Sequence, residues 1–147
     1  MTQEEKNLLL QDLCGRLPYG VKVNHLLDTK PSDLFAIDTY RSTLYCFRNG
    51  REEWYKVEFI QPYLRPMSSM TDEEREEYIG YAGYEIEETV NGRHYEYYLK
   101  DFCGTPNNPS VNADSVDWLN KNMFDYRGLI PKGLANEAPE GMYNNLN

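Results

Sequence analysis

The sequence lacks the long apolar runs that a membrane-spanning helix requires. No uninterrupted apolar stretch is longer than four residues, the length of residues 44–47, and the mean hydropathy is −0.75. Residues 1–6 carry two acids ahead of a short leucine run, whereas a secretory signal begins with a basic region and a longer apolar core. We therefore expect a cytoplasmic protein with no segment in a membrane.

Cysteine and histidine are also scarce. Cys14, Cys46 and Cys103 lie far apart and form none of the close CxxC pairs of structural zinc sites. A thiol nucleophile would need His25 or His94 beside it, and no local signature of such a pair is present. The glycine-rich patterns that bind phosphates and dinucleotides are missing too. We expect reduced cysteines, no cofactor and no catalytic residue, and we favour a non-enzymatic protein.

Basic residues are outnumbered by acidic ones. Lys and Arg total 15 against 24 Asp and Glu, which gives a formal net charge of −9 and an isoelectric point near 4.7. Arg48 and Arg51 form a small basic tip, with Arg41 and Lys56 nearby in sequence. Four cations against the overall negative charge argue against direct nucleic-acid binding by this chain.

Local chemistry marks the beginnings of two helices. The pairs Thr2–Glu5 and Thr71–Glu74 each match a capping box, in which two side chains satisfy the free backbone N–H groups of a helix start. They predict helices over residues 2–14 and 71–81, the first of them ended by Gly15.

The C-terminal third is predicted to hold a further helix. It would begin at Asn112 or Asp114 and end at Asn122, with Trp118 at the edge of its buried side. One more helical turn is expected around residues 129–135. The composition after Glu137 predicts a frayed tail over 138–147.

Asn49-Gly50 predicts a tight hairpin, because these two residues tolerate the positive φ angles of a type I′ turn. Its strands would cover residues 43–48 and 51–57. In that register Tyr45 faces Trp54, and Leu44 faces Tyr55.

Alternation of apolar and polar residues predicts a strand over 21–27, with His25 pointing inward, and another over 34–39. Residues 28–33 between them are predicted to form a turn. The two prolines of Pro62–Met70 predict a stiff, irregular connector.

A second hairpin is predicted around Asn91-Gly92, with strands over 85–90 and 93–99. Helices and strands thus occur in groups rather than in strict alternation. We predict an α+β fold: a single domain over 1–137, with an antiparallel sheet built from β-hairpins and packed against about three helices.

Several stretches resemble a known family. They are residues 40–45, the proline-flanked segment 62–71, residues 117–120 and 124–130, and the closing residues 133–135 and 138–143. Together they resemble a family of short uncharacterised proteins of gut anaerobic bacteria and their prophages. The resemblance implies a bacterial or phage cytoplasmic setting and an accessory gene of a mobile element. It implies no activity and no catalytic residue.

Negative charge and tyrosine are concentrated in one region. Residues 71–90 contain eight acids against one base, Arg75, and so supply −7 of the net charge. Six of the 13 tyrosines lie within residues 78–98. The predicted second hairpin also places two like charges, Glu87 and Glu96, opposite each other. We predict a surface for a protein partner with a basic surface. Its candidate binding residues are Tyr78, Glu85, Glu87, His94, Glu96 and Tyr98.

Other interpretations of this region stay open. The acids can form an ordinary solvated face and the tyrosines can pack a sheet. The acidic surface can also mimic DNA and inhibit a nucleic-acid-binding protein. A third alternative is a small metal-dependent enzyme or metal-binding protein that uses Glu85, Glu87, His94 and Glu96 as ligands.

Overall fold

The structure, a computed structural model, describes residues 1–82 and 113–143 of the chain. Within these residues it contains three α-helices and one six-stranded sheet. The helices are α1 (Gln3–Arg16), α2 (Asp72–Ala82) and α3 (Ala113–Lys121). The strands are β1 (Lys22–His25), β2 (Asp28–Asp38), β3 (Thr43–Arg48), β4 (Arg51–Lys56), β5 (Ile60–Leu64) and β6 (Asn136–Glu137).

The strands are arranged in the order β4-β3-β2-β1-β5-β6. All neighbours are antiparallel except β5 and β6, which run parallel. The prediction of a single α+β domain with an antiparallel sheet is therefore confirmed, apart from the short parallel edge. No described helix is long and apolar enough to cross a membrane.

Helix α1 begins as its capping box predicts, but it does not end at Gly15. The Thr2 hydroxyl accepts from the Glu5 N–H, and the Glu5 carboxylate accepts from the Thr2 N–H. The helix continues to Arg16, and a 3-10 turn follows to Gly20, whose φ of 75° ends it. Gly15 serves packing instead, because a Cβ there would lie 3.0 Å from Nδ2 of Asn120 in α3.

The β3–β4 hairpin matches the prediction. Asn49 and Gly50 have φ angles of 52° and 76°, as a type I′ turn requires. Tyr45 pairs with Trp54, and Leu44 pairs with Tyr55. Local turn chemistry was sufficient to determine this register.

The turn predicted over residues 28–33 is wrong, because β2 already begins at Asp28. The chain reverses at residues 26 and 27, and His25 pairs with Asp28. The register then shifts before Val23 pairs with Ser32, and Pro31 lies in that irregular stretch. A proline is tolerated there because a bulge residue needs no ladder hydrogen bond.

The irregular connector predicted over Pro62–Met70 is partly wrong, because β5 extends through Pro62 to Leu64. The Leu26 N–H donates to the Phe59 carbonyl, so these two residues form a hydrogen-bonded pair. Because such pairs alternate along an antiparallel ladder, Asn24 and Gln61 form the next one. Pro62 stands opposite Val23 in a non-hydrogen-bonded pair. Its missing donor therefore costs no bond to β1. A 3-10 turn follows over Met67–Ser69.

Helix α2 starts at the second capping box, as predicted. Helix α3 lies within the predicted range, although Trp118 is buried rather than at the edge of its apolar side. Residues 129–135 form hydrogen-bonded turns instead of a helical turn. The second predicted hairpin, over residues 85–99, and the capping residue Asn112 lie outside the described residues.

Two clusters of buried side chains hold the domain together. The larger is mainly aliphatic and joins α1, through Leu9 and Leu13, to Leu44 and Ile60 of the sheet. The smaller is aromatic and joins α2 to α3: the rings of Tyr78 and Trp118 have centroids 5.6 Å apart, and Trp118 stacks on Phe124 at the same distance. Burial of this apolar surface is the main favourable term in the stability of such a fold.

One ion pair lies entirely inside the protein. Arg16 donates to Asp12, one helical turn earlier, through Nε at 2.8 Å and Nη2 at 3.0 Å. The same Nη2 donates to the Phe124 carbonyl at 2.7 Å, and both side chains are 0% exposed. Arg127 approaches Asp12 at 3.4 Å. The pair thus connects α1 to the loop that follows α3.

Residues 138–143, the described part of the predicted frayed tail, return to the sheet, whereas residues 144–147 lie outside the described residues. The Ala138 N–H donates to the Leu64 carbonyl at 2.7 Å. The Tyr143 hydroxyl accepts from the Lys22 N–H at 3.0 Å and donates to the Tyr63 carbonyl at 2.9 Å. Burial raises the pKa of Tyr143 to about 12, so the hydroxyl stays protonated at neutral pH and keeps both bonds.

A candidate binding cleft

A cleft of about 970 Å³ lies between α2, the end of α3 and the segment after β6. Five glutamates line it, from α2 and from the C-terminal segment: Glu73, Glu74, Glu77, Glu137 and Glu140. Two cations, Arg65 and Lys121, line it as well. The concave shape and the excess of one charge sign make this cleft the candidate functional site.

Arg65, just after β5, is held in place by backbone and ring contacts. Its N–H donates to the Met123 carbonyl at 2.7 Å, and its carbonyl accepts from the Asp125 N–H at 2.8 Å. The guanidinium carbon lies 4.2 Å from the centroid of the Phe124 ring, within the range of a cation–π contact. Arg65 thus packs on the aromatic cluster and lines the wall of the cleft.

Glu74 neutralises Arg65 and caps α2 at the same time. The two guanidinium nitrogens Nη1 and Nη2 donate to the two carboxylate oxygens, each at 2.7 Å. One of those oxygens also accepts from the Thr71 N–H at 3.1 Å. Burial alone raises the pKa of Glu74, but the hydrogen bonds from Arg65 and Thr71 outweigh it and hold the pKa below its ordinary value.

With Arg65 neutralised, the described lining of the cleft has four glutamates against one lysine, Lys121. Glu73 and Glu77 lie one helical turn apart on α2, and Glu137 and Glu140 lie on the opposite side of the cleft. All four side chains are exposed, as is Lys121. The cleft therefore carries a negative field that favours a cationic occupant.

The structure places one of the six predicted binding residues. Tyr78 is 2% exposed, and its ring packs against that of Trp118 in the aromatic cluster. The other five are Glu85, Glu87, His94, Glu96 and Tyr98, and they lie outside the described residues.

The described cysteines and His25 do not form a nucleophilic pair. Burial raises the pKa of Cys46 to about 11, so this fully buried thiol stays protonated at neutral pH. Burial also raises the pKa of the exposed Cys14. His25 is half-buried rather than part of the core. Its Nδ1 accepts from the Leu27 N–H, and its ring lies 4.4 Å from that of Tyr55.

A second polar cluster lies at the hairpin end of the sheet, where Arg48 pairs with both Asp28 and Glu53. The Tyr55 hydroxyl donates to Glu53 as well. The Lys30 N–H and Arg48 hold the pKa of Asp28 below its ordinary value. Arg48 offsets only part of the two carboxylate charges, but every member of the cluster already bonds another, and we assign the cluster to the stability of the hairpin.

Metal binding finds no support within the described part of the chain. No three His, Cys, Asp or Glu side chains in residues 1–82 and 113–143 are grouped to hold an ion. The four ligands that the sequence suggests all lie outside those ranges. A metal site formed by them stays a prediction.

Sequence reasoning missed most of the cleft. The capping box identified Glu74, but only as a helix start, and Arg65 was assigned to an irregular connector. Glu137 is the last residue of the predicted domain, and Glu140 lies in the predicted tail. A signal was available in the α2 glutamates, whose spacing places Glu73 and Glu77 on one side of the helix.

The chain was compared with protein-family models, with curated proteins and with solved structures, and none of them matches it.

Proposed function

We propose that this protein is a non-enzymatic protein-binding accessory or inhibitor protein that holds a basic segment of its partner in the acidic cleft. The observation that carries the proposal is the unbalanced charge of a concave surface: among the described residues, four exposed glutamates lie around one lysine. A lysine- or arginine-rich segment would gain Coulomb energy there and would also be drawn toward the overall charge of −9.

The shape of the cleft favours this proposal over a DNA-mimic inhibitor. A mimic must place its carboxylates on a protruding surface that enters the basic groove of a nuclease or repressor. Glu73, Glu77, Glu137 and Glu140 instead surround a cavity, which suits a projecting segment of the partner. The bacterial or prophage setting that the resemblance implies remains a prediction beside this proposal.

The test uses a lysine- and arginine-rich decapeptide as the probe, titrated against the full chain at low ionic strength. The cleft variant carries Glu73→Gln and Glu77→Gln. The control variant carries Asp72→Asn and Glu76→Gln, which remove the same charge from the same helix outside the cleft lining. We expect the cleft variant to bind about threefold to tenfold more weakly than the control, with a steep dependence on salt.

A third variant, with Glu85→Gln, Glu87→Gln and Glu96→Gln, tests the surface predicted from the sequence. A loss in this variant alone would move the binding surface from the cleft to residues 85–96. Equal losses in the cleft and control variants would mean that the peptide responds only to net charge, and the cleft proposal would be wrong.

A further inference from the structure

Strand β4 is the outer strand of the sheet and pairs, within the described residues, with β3 alone. Arg48 and Arg51 flank the two-residue turn, which makes them a hydrogen-bonded pair. Since such pairs alternate along an antiparallel ladder, the backbone groups of Glu53 and Tyr55 also point toward β3. The N–H and C=O groups of Glu52, Trp54 and Lys56 therefore point outward, ready to pair with another strand.

The side chains of these outward residues lie beside an exposed aromatic patch. Trp54 is 63% exposed, and its cross-strand neighbour is Tyr45. Phe35, whose ring centroid lies 6.4 Å from that of Tyr45, and Phe47 are each 45% exposed. Large exposed apolar side chains grouped on one face of a sheet, beside a strand that pairs on one side only within the described residues, are typical of an interaction surface.

We propose that two copies of this chain pair antiparallel along β4 about a two-fold axis at Trp54. In this register Trp54 pairs with Trp54 of the second copy, and Glu52 pairs with the second copy's Lys56. The axis makes the second of these pairs occur twice. The two sheets then form one continuous sheet, and the row of Tyr45 and Trp54 continues across the axis.

Charge complementarity selects this register. It engages all three outward residues and places opposite charges side by side in both outer pairs. Shifting the strands so that Glu52 meets Trp54 brings Glu53 opposite Glu53 of the second copy. Centring the axis on Glu52 or on Lys56 places like charges opposite each other. The pattern Glu-x-Trp-x-Lys is thus self-complementary when it is read in opposite directions.

Lys56 is able to make this contact without losing its present one. Its Nζ donates to the Arg41 carbonyl at 2.8 Å. An ammonium group has three N–H donors, so two remain for the carboxylate of the second copy. Glu52 is exposed and makes no described ion pair, which leaves its carboxylate accessible.

The experiment measures the molar mass of the full chain by light scattering and sedimentation over a range of concentrations. We expect the wild-type chain to be dimeric at about 100 μM. Its melting temperature should rise with concentration. Glu52→Lys and Lys56→Glu each place like charges opposite each other twice, so each should weaken the dimer about tenfold or more. The double variant Glu52→Lys/Lys56→Glu restores opposite charges and should recover the wild-type dissociation constant to within about threefold.

Glu76→Lys, on α2, makes the same charge change away from β4 and should leave the dimer unchanged. A second variant, Trp54→Ser, removes a side chain that is exposed in the monomer and should weaken the dimer while keeping the fold. A wild-type monomer at about 100 μM would overturn the proposal. If the double variant does not recover the wild-type dissociation constant, the proposed register is wrong. If Trp54→Ser leaves the dissociation constant unchanged, the β4 interface is wrong altogether.

Discussion

Two arginine–carboxylate pairs of this protein have the same chemistry in opposite surroundings. Arg16 and Asp12 are 0% exposed, whereas Arg65 and Glu74 have side chains 25% and 21% exposed at the rim of the cleft. The first pair is enclosed by Phe124 and Arg127, so no partner can reach it. The second pair borders the open cleft. Because Glu74 neutralises Arg65, the other glutamates give the cleft its negative charge. Burial therefore separates a pair that maintains the fold from a pair that shapes a surface.

The largest predicted effect comes from breaking the enclosed pair. Asp12→Asn leaves the Arg16 charge buried and uncompensated, which should lower the free energy of unfolding by about 3–5 kcal/mol. Urea denaturation followed by circular dichroism measures this loss. The double variant Asp12→Leu/Arg16→Met removes both charges and should recover most of it. A loss below about 1 kcal/mol for Asp12→Asn would show that the two pairs do not differ.

Breaking the rim pair should have a smaller effect. Arg65→Met removes the two hydrogen bonds to Glu74 and the contact with Phe124, and it leaves the carboxylate within reach of water. We expect a loss of about 1–2 kcal/mol by the same urea measurement. Arg65→Lys is the matched control for charge, since it keeps the cation but loses the two-pronged geometry. A loss as large as that of Asp12→Asn would contradict the comparison.

Acid should expose the contribution of Glu74. Its pKa is lower in the folded chain than its ordinary value of about 4.3, so its stabilisation is complete above that pH and is lost as the pH falls through the folded pKa. The difference in unfolding free energy between the wild-type chain and Glu74→Gln should therefore narrow as the pH falls from about 5 to about 3, a range that begins just above the ordinary pKa. A constant or widening difference would contradict the assignment.

The smallest effect is expected at the most exposed of the three pairs. Lys22 and Asp33 lie 2.7 Å apart between β1 and β2, with side chains 35% and 62% exposed. Asp33→Asn should change the free energy of unfolding by no more than about 0.5 kcal/mol, because water and salt screen such pairs. A larger loss would contradict the comparison, because the exposure of the side chains would then not predict the order of the three losses in stability.

The parts of the fold that were predictable from the sequence depend on neighbouring residues. The two capping boxes and the Asn49-Gly50 turn are each complete within four residues, and the structure contains all three. The errors at Gly15 and Pro62 have a different origin. Each depends on a residue brought close by the fold, Asn120 in the first case and Val23 in the second.

The enclosed ion pair and the cleft were harder to predict for the same reason. Asp12 and Arg16 have the spacing of a helical ion pair, but only the Phe124 carbonyl, 108 residues from Arg16, shows that they are enclosed. Arg65 and Glu74 are separated by a 3-10 turn that no local pattern indicated. The tail prediction relied on composition, and composition does not reveal the two hydrogen bonds of the Tyr143 hydroxyl.

The position of Cys46 in β3, between β2 and β4, has a practical consequence. Its thiol is shielded on the core face of the sheet and stays protonated, while Cys14 is exposed on α1. An alkylating reagent should modify Cys14 directly and should reach Cys46 only when β3 separates from its neighbouring strands. The alkylation rate of Cys46 thus reports how readily this part of the sheet opens.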